Sequence, residues 1–203
     1  MIKAIIFDVG GVIVRSGSRQ GRTRWEKRLG LKEWESENII FNSEMNQKAE
    51  RGEVSDESFW KWAKSELQLS DAEYSEFIVD FWADNKVDQD LMALIRGLRP
   101  QYQTAVISNA TDTLRQDMKE RYQISDAFDL IVCSAEEHIV KPEPEIFLRT
   151  LARLKVKPEE SLFVDDMEVN VDAARKLGMT AIRFTPAVDL ASRLQNYGVS
   201  IGE

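Results

Sequence analysis

The chain has 203 residues, of which 43% are hydrophobic and 31% charged, enough apolar surface for a globular core. Twenty-seven basic against 35 acidic residues give a net charge of −8, which argues against nucleic acid or an anionic membrane as the main partner. A single cysteine, Cys133, excludes an internal disulfide, and its apolar surroundings predict a buried thiol.

The N-terminal residues show no charged n-region followed by an apolar h-region, and no apolar run is long enough to span a bilayer. A cytoplasmic protein is expected. The first structured stretch is Ala4-Ile5-Ile6-Phe7, an unbroken apolar run that reads as a strand buried on both faces. It stops at Asp8, and Gly10-Gly11 follow, suited to a tight turn and a close backbone approach. An ionised carboxylate at the end of a buried strand is costly unless it is paired.

Residues 15–20 read as a polar linker. From there to about residue 86 the patterns are helical, and a bundle of about four helices is expected. Ser55 is positioned to cap one helix, and Ser70 with Glu73 forms a capping box for another. All five tryptophans (positions 25, 34, 60, 62 and 82) fall in this block, and most are expected to fill its core.

From residue 87 strands and helices alternate. Leu91, Leu94, Ile95 and Leu98 form one helical face, ended by Pro100. Thr104 to Ile107 is a strand ending in Ser108-Asn109. A helix is expected from about Thr111 to Arg121, then a strand at Leu130–Ser134. Lys141-Pro142-Glu143-Pro144 breaks the chain before another helix. Ser161–Val164 is a strand ending in Asp165-Asp166, with Asn170 one helical turn on. A helix stopping at Gly178, a strand at Thr180–Arg183 and a last helix through Leu190 and Leu194 to Gly198 complete the chain.

Short apolar strands alternating with helices predict an α/β fold, a Rossmann-like parallel sheet sandwiched by helices. The helical block interrupts it. The expected division is a discontinuous core of residues 1–14 and 87–203, with residues 15–86 as an inserted α-helical bundle cap.

In a parallel sheet the strand ends share one edge, where ligands bind. Asp8 and Asp166 offer two hard anionic oxygens, which suits Mg²⁺. Ser108, the following amides and Lys141 are donors suited to the oxygens of a phosphate. A metal, a carboxylate nucleophile and a donor-lined pocket together point to phosphoryl transfer.

These residues resemble the haloacid dehalogenase-like hydrolase superfamily, in the branch with an α-helical cap after the first motif. Phe7-Asp8-Val9-Gly10-Gly11-Val12 looks like its first motif, Ile107-Ser108-Asn109 its second, and Lys141-Pro142-Glu143-Pro144-Glu145-Ile146-Phe147 its third. Phe163-Val164-Asp165-Asp166 with Asn170 looks like the fourth. Within that family the chain is similar to small sugar-phosphate phosphatases and to the phosphatase domain of epoxide hydrolases.

The resemblance implies roles. Asp8 forms an aspartyl phosphate. Ser108 and the Asn109 amide bind the phosphoryl oxygens, and Lys141 neutralises Asp8 and the phosphate. Asp166, Asp8 and the Gly10 carbonyl coordinate Mg²⁺, while Asp165 holds metal-bound water with Asn170 nearby. The expected substrate is a small phosphorylated metabolite, and the expected state is a monomer or homodimer.

One position departs from the pattern. The family's phosphatases carry an aspartate two residues after the nucleophile, as general acid and base; here that position is Gly10. Such help is worth ~10²–10⁴ in rate. Glu44, Glu50, Glu53 and His138 are candidate substitutes; a solvated surface is the plainer expectation for each, as for Arg15 and Arg51. Two other readings stay open: a catalytically impaired binding or regulatory protein on this fold, and a metal-independent haloacid dehalogenase.

Overall fold

A computed structural model describes residues 1–201. The first strand is β1 (Ala4–Phe7), and every residue of it is fully buried. It is followed by the short β2 (Val14–Ser16). Five helices come next: α1 (Gln20–Leu29), α2 (Glu35–Asn42), α3 (Glu44–Glu50), α4 (Asp56–Glu66) and α5 (Asp71–Trp82). The chain returns through β3 (Asn85–Val87) into α6 (Gln89–Leu98), β4 (Gln103–Ser108), α7 (Leu114–Gln116) and a π turn at Asp117–Arg121. Then follow β5 (Leu130–Cys133), α8 (Ser134–Glu137), α9 (Pro144–Leu154), β6 (Ser161–Asp165), α10 (Glu168–Lys176), β7 (Thr180–Arg183) and α11 (Leu190–Asn196).

Strands β5, β4, β1, β6 and β7 form, in that order, one fully parallel sheet, the Rossmann-like α/β arrangement expected. Alternation along β1 divides the apolar interior into two layers. Ile5 and Phe7 join Leu91, Met92 and Ile95 of α6 and Leu190 and Leu194 of α11 on one face. Ala4 and Ile6 join Ile146, Phe147 and Leu151 of α9 and Val171 and Ala174 of α10 on the other. Full burial of each large side chain contributes roughly 1.5–3 kcal/mol, so the central strand is fixed from both sides.

Helices α1–α5 hold a separate apolar cluster built on Trp25, Ile40, Phe59, Phe77 and Phe81. Trp60, Trp62 and Trp82 pack against it half-buried. Trp34 departs from expectation: it is 51% exposed, with the Arg19 guanidinium stacked 3.5 Å from its ring centroid. Ser55 and Ser70 cap α4 and α5, and the capping box at Ser70 forms with both of its bonds.

The stretch read as a linker is structured. Val14, Arg15 and Ser16 pair antiparallel with Val87, Lys86 and Asn85, so the two crossings into and out of the helical block form one ribbon. The block holds five short helices rather than four. The helix expected from Thr111 is shorter and irregular, starting at Leu114 and ending in the π turn. Among the described residues, no helix is long and apolar enough to cross a membrane.

Candidate active site

Register brings the polar strand ends together. Phe7 lies level with Val106 of β4 and Val164 of β6. One residue further, the Asp8 amide still donates to the Val164 carbonyl (2.9 Å), which holds the Asp8 backbone in the ladder beside β6. Asp8 therefore emerges beside Asp165, with Ser108 ending the neighbouring strand.

All of these groups are nearly out of solvent: Asp8 is 8% exposed, Ser108 5%, Lys141 4% and Asp165 0%. Charges so buried persist only when paired. Lys141 Nζ lies 2.9 Å from Asp8 Oδ1 and 2.7 Å from Asp165 Oδ2, one ammonium bridging two carboxylates. The Val9 amide also donates to Asp8 Oδ1 (2.7 Å). Burial lowers the affinity of Lys141 for its proton, but Asp8 and Asp165 more than offset this and hold it above its ordinary pKa. Burial pushes the Asp8 carboxyl up to about 7, against the pull of Lys141 and with the push of Asp165.

Asp165 has its oxygens engaged. Besides Lys141, it accepts from the Met167 amide (2.8 Å) and from Asn170 Nδ2 (3.1 Å to each oxygen). Asn170 thus holds Asp165, and Asp165 holds Lys141. This arrangement lets Asp165 position the Lys141 ammonium.

Asp166 is different. It is half-buried, and no basic side chain pairs with it among the described residues. Burial first, then the neighbouring Asp165 charge, raise its pKa. Gly11 makes room for it: a Cβ at that position would fall 2.3 Å from Asp166 Oδ2, and the backbone there has φ +74°. Asp8, Asp165 and Asp166 each offer an oxygen within 4.8 Å of the others. Three carboxylates against one ammonium leave an excess of negative charge, and hard oxygen donors in that number fit a small divalent cation such as Mg²⁺.

Asn109 contributes through its side chain, a part that sequence reasoning missed. Its Oδ1 accepts from the Lys141 amide (2.8 Å) and its Nδ2 donates to the Lys141 carbonyl (2.9 Å). The partners are distant in sequence, so no local pattern signals the clasp.

The helical block meets this edge through polar contacts. Arg51 pairs with Glu143 (2.5 Å), and its carbonyl lies 2.9 Å from His138 Nδ1. Gly52 packs so closely on the Ala135 carbonyl that a Cβ would approach it to 2.1 Å. Asp56 accepts from Thr111 Oγ1 (2.7 Å), and its amide donates to Asp112 (3.0 Å). A cleft of about 750 Å³ opens between the helices and the β4 loop, lined by Asp56, Trp60, Tyr74, Asp112 and Thr113 among others. Of the candidate substitutes, Glu44 and Glu53 are exposed and Glu50 is half-buried. Arg15 is taken up by Asp88 and the Phe184 ring.

The family model for haloacid dehalogenase-like hydrolases matches residues 2–178. The chain is 29% identical over 187 residues to a D-ribitol-5-phosphate phosphatase of Bacteroides thetaiotaomicron, covering 88% of this chain and 89% of that one. It is 27% identical over 194 residues to a sesquiterpene phosphatase of Aspergillus oryzae, covering 95% of each. In fold it is similar to a HAD family enzyme of B. thetaiotaomicron crystallised with magnesium and inorganic phosphate (TM-score 0.79, 22% identity, 95% of this chain and 99% of that one). It is also similar to L-2-haloacid dehalogenase of Xanthobacter autotrophicus (TM-score 0.65, 18% identity, 100% of this chain and 85% of that one). Fold alone is thus common to phosphate and halide chemistry, while the match of the family model spans β1 to β6 and the acidic cluster together. The chain belongs to the haloacid dehalogenase-like hydrolase family.

Proposed function

We propose that this hydrolase is a Mg²⁺-dependent phosphatase of a small phosphorylated metabolite, acting through an aspartyl phosphate on Asp8. The observation that carries the reading is the pair of unlike carboxylates at the end of β6. Asp165 is fully engaged with Lys141 and Asn170, whereas Asp166 is half-buried and no basic side chain pairs with it among the described residues, which suits a metal ligand. A dehalogenase acting on a carboxylate substrate has no use for that second charge.

Asp8, Asp166 and the Gly10 carbonyl would hold Mg²⁺, which when bound offsets the charge of the substrate phosphate and of the acidic cluster. Asp8 attacks phosphorus with the oxygen that Lys141 leaves free. Lys141 favours the ionised form of Asp8 against the pull of burial and stands beside the incoming phosphoryl group. Ser108 and the amides after β4 receive the phosphoryl oxygens. Asp165, Asn170 and Asn109 fix Lys141 from its two ends.

The proposed division is a core of residues 1–14 and 87–203 with residues 15–86 as a cap. The cap has its own apolar core and touches the rest through ion pairs and hydrogen bonds, which supports a lid that parts and closes over substrate. A second reading, weakened chemistry on a binding protein, draws on Gly10: a Cβ there would meet nothing within 4 Å, so no side chain from position 10 fills that space.

The test is hydrolysis of p-nitrophenyl phosphate with Mg²⁺ and with EDTA, in the wild type and in Asp8→Asn. Metal-dependent turnover lost in the variant supports the phosphatase. No turnover with Mg²⁺ still bound supports the binding protein, and EDTA-insensitive halide release from a haloacid supports the dehalogenase.

A further inference from the structure

Breaking a phosphate ester leaves an alkoxide that needs a proton, and the groups around Asp8 are poorly placed to give one. Lys141 is held protonated between two carboxylates. Asp165 has its oxygens occupied, and Asp166 faces the proposed metal. His138 is exposed, and its Nδ1 is turned to the Arg51 carbonyl. Position 10 has no side chain.

In the helical block two half-buried carboxyls face the core: Asp56 accepts from Thr111 beyond β4, and Glu50 stands next to the segment that carries Lys141. Glu50 is the last residue of α3, and the two residues after it are fixed to the core: Arg51 to Glu143 and His138, Gly52 to the Ala135 carbonyl. These contacts fall on residues 135–143, the segment that carries Lys141, and the Lys141 charge acts on the Glu50 carboxyl. Asn46 Nδ2 donates to Glu50 Oε1 (3.1 Å) and to the Phe41 carbonyl (3.0 Å), which orients the carboxyl and leaves Oε2 free. Glu50 is half-buried while its neighbours Glu44 and Glu53 are exposed.

We propose that Glu50 is the general acid and base of this enzyme, delivered by the cap to the leaving oxygen. The inference rests on the phosphatase reading. In the first step an Asp8 oxygen bonds to phosphorus, the bond from phosphorus to the ester oxygen breaks, and the Glu50 proton passes to that oxygen to give the alcohol. In the second, the Glu50 carboxylate takes a proton from water as the water oxygen bonds to phosphorus. The Asp8–phosphorus bond then breaks and inorganic phosphate leaves, with Glu50 protonated again. Burial raises the Glu50 carboxyl above its ordinary pKa, opposed by the Asn46 amide and by the charges of Lys141 and Arg51, the direction a proton donor requires.

The experiment compares Glu50→Gln with the wild type on p-nitrophenyl phosphate, whose leaving group needs no proton, and on glycerol 3-phosphate, whose leaving group does. The quantity read is the ratio of the two kcat/KM values. It reports only steps through transfer to Asp8, and it does not depend on the fraction of folded enzyme. The expected result is a ratio shifted at least ~10²-fold against the alkyl ester. A burst of p-nitrophenol is also expected, as the phosphoenzyme outlives its formation. Glu53→Gln, on the exposed side, keeps the wild-type ratio. An unchanged ratio in Glu50→Gln overturns the assignment while leaving the phosphatase reading intact. A wild type that hydrolyses neither ester, nor a panel of sugar phosphates, overturns both.

Discussion

Asn109 grips the backbone of Lys141 at both its amide and its carbonyl, through bonds of 2.8 and 2.9 Å. The ammonium that bridges Asp8 and Asp165 is thus placed from a neighbouring strand end. Asn109→Ala strips two partners from a largely buried backbone, which costs about 1–3 kcal/mol. Urea denaturation is expected to show that loss, with kcat falling at least as steeply because Lys141 is released.

Replacing Lys141 itself leaves two buried carboxylates without a counter-charge. Removal of one partner from a buried pair typically costs about 3–5 kcal/mol, and Lys141→Met is expected in that range at neutral pH. The sign with pH follows from Asp8. Its folded pKa, about 7, lies above the unfolded value near 3.8, so its contribution is fully present below the lower value and is lost as pH rises through the upper one. Without Lys141 the Asp8 carboxyl moves further up. The deficit of Lys141→Met, read as the difference in melting temperature from the wild type in EDTA, should be larger at pH 8 than at pH 5.

Asp166 offers the metal test. In EDTA, Asp166→Asn relieves a half-buried charge set beside Asp165, so its melting temperature should equal or exceed that of the wild type. Adding Mg²⁺ should raise the melting temperature of the wild type and leave the variant unmoved. An equal rise in both would remove Asp166 from the metal site.

The two glycines after Asp8 should respond in opposite ways. Gly10→Ala meets open space and is expected to fold as the wild type does. Gly11→Ala puts a Cβ 2.3 Å from Asp166 Oδ2 at a φ of +74° and must displace that carboxylate. Magnesium titrations followed by melting temperature separate them: affinity survives in the first variant and collapses in the second.

The core was readable because each of its strands is an apolar run stopped by a group that does not belong in an apolar place. Asp8, Ser108 and Asp165-Asp166 announce an edge in this way, and parallel register does the rest. What escaped detection was made by pairing at a distance. Three-residue strands such as β2 and β3 carry too few positions for any period, so a ribbon reads as linker. The Asn109 clasp and the seating of Gly52 on Ala135 join segments far apart in the chain. Trp34 was misjudged because an indole satisfied by a stacked guanidinium is stable in solvent, which composition cannot distinguish from a buried one. Asp165 and Asp166, adjacent and alike in sequence, part company only where the backbone turns out of β6.

The β2–β3 ribbon has a consequence for how such a chain is rebuilt. Because Ser16 and Asn85 face each other across it, entrance and exit of the helical block are a strand spacing apart. A hairpin turn joining those two residues would close the chain without stretching the sheet, and a foreign helical bundle could be grafted at the same junction. The proposed cap is in that sense an exchangeable cassette, and chimeras cut at Ser16 and Asn85 are expected to alter what the enzyme accepts while leaving Asp8, Lys141 and the Asp165–Asp166 pair in place.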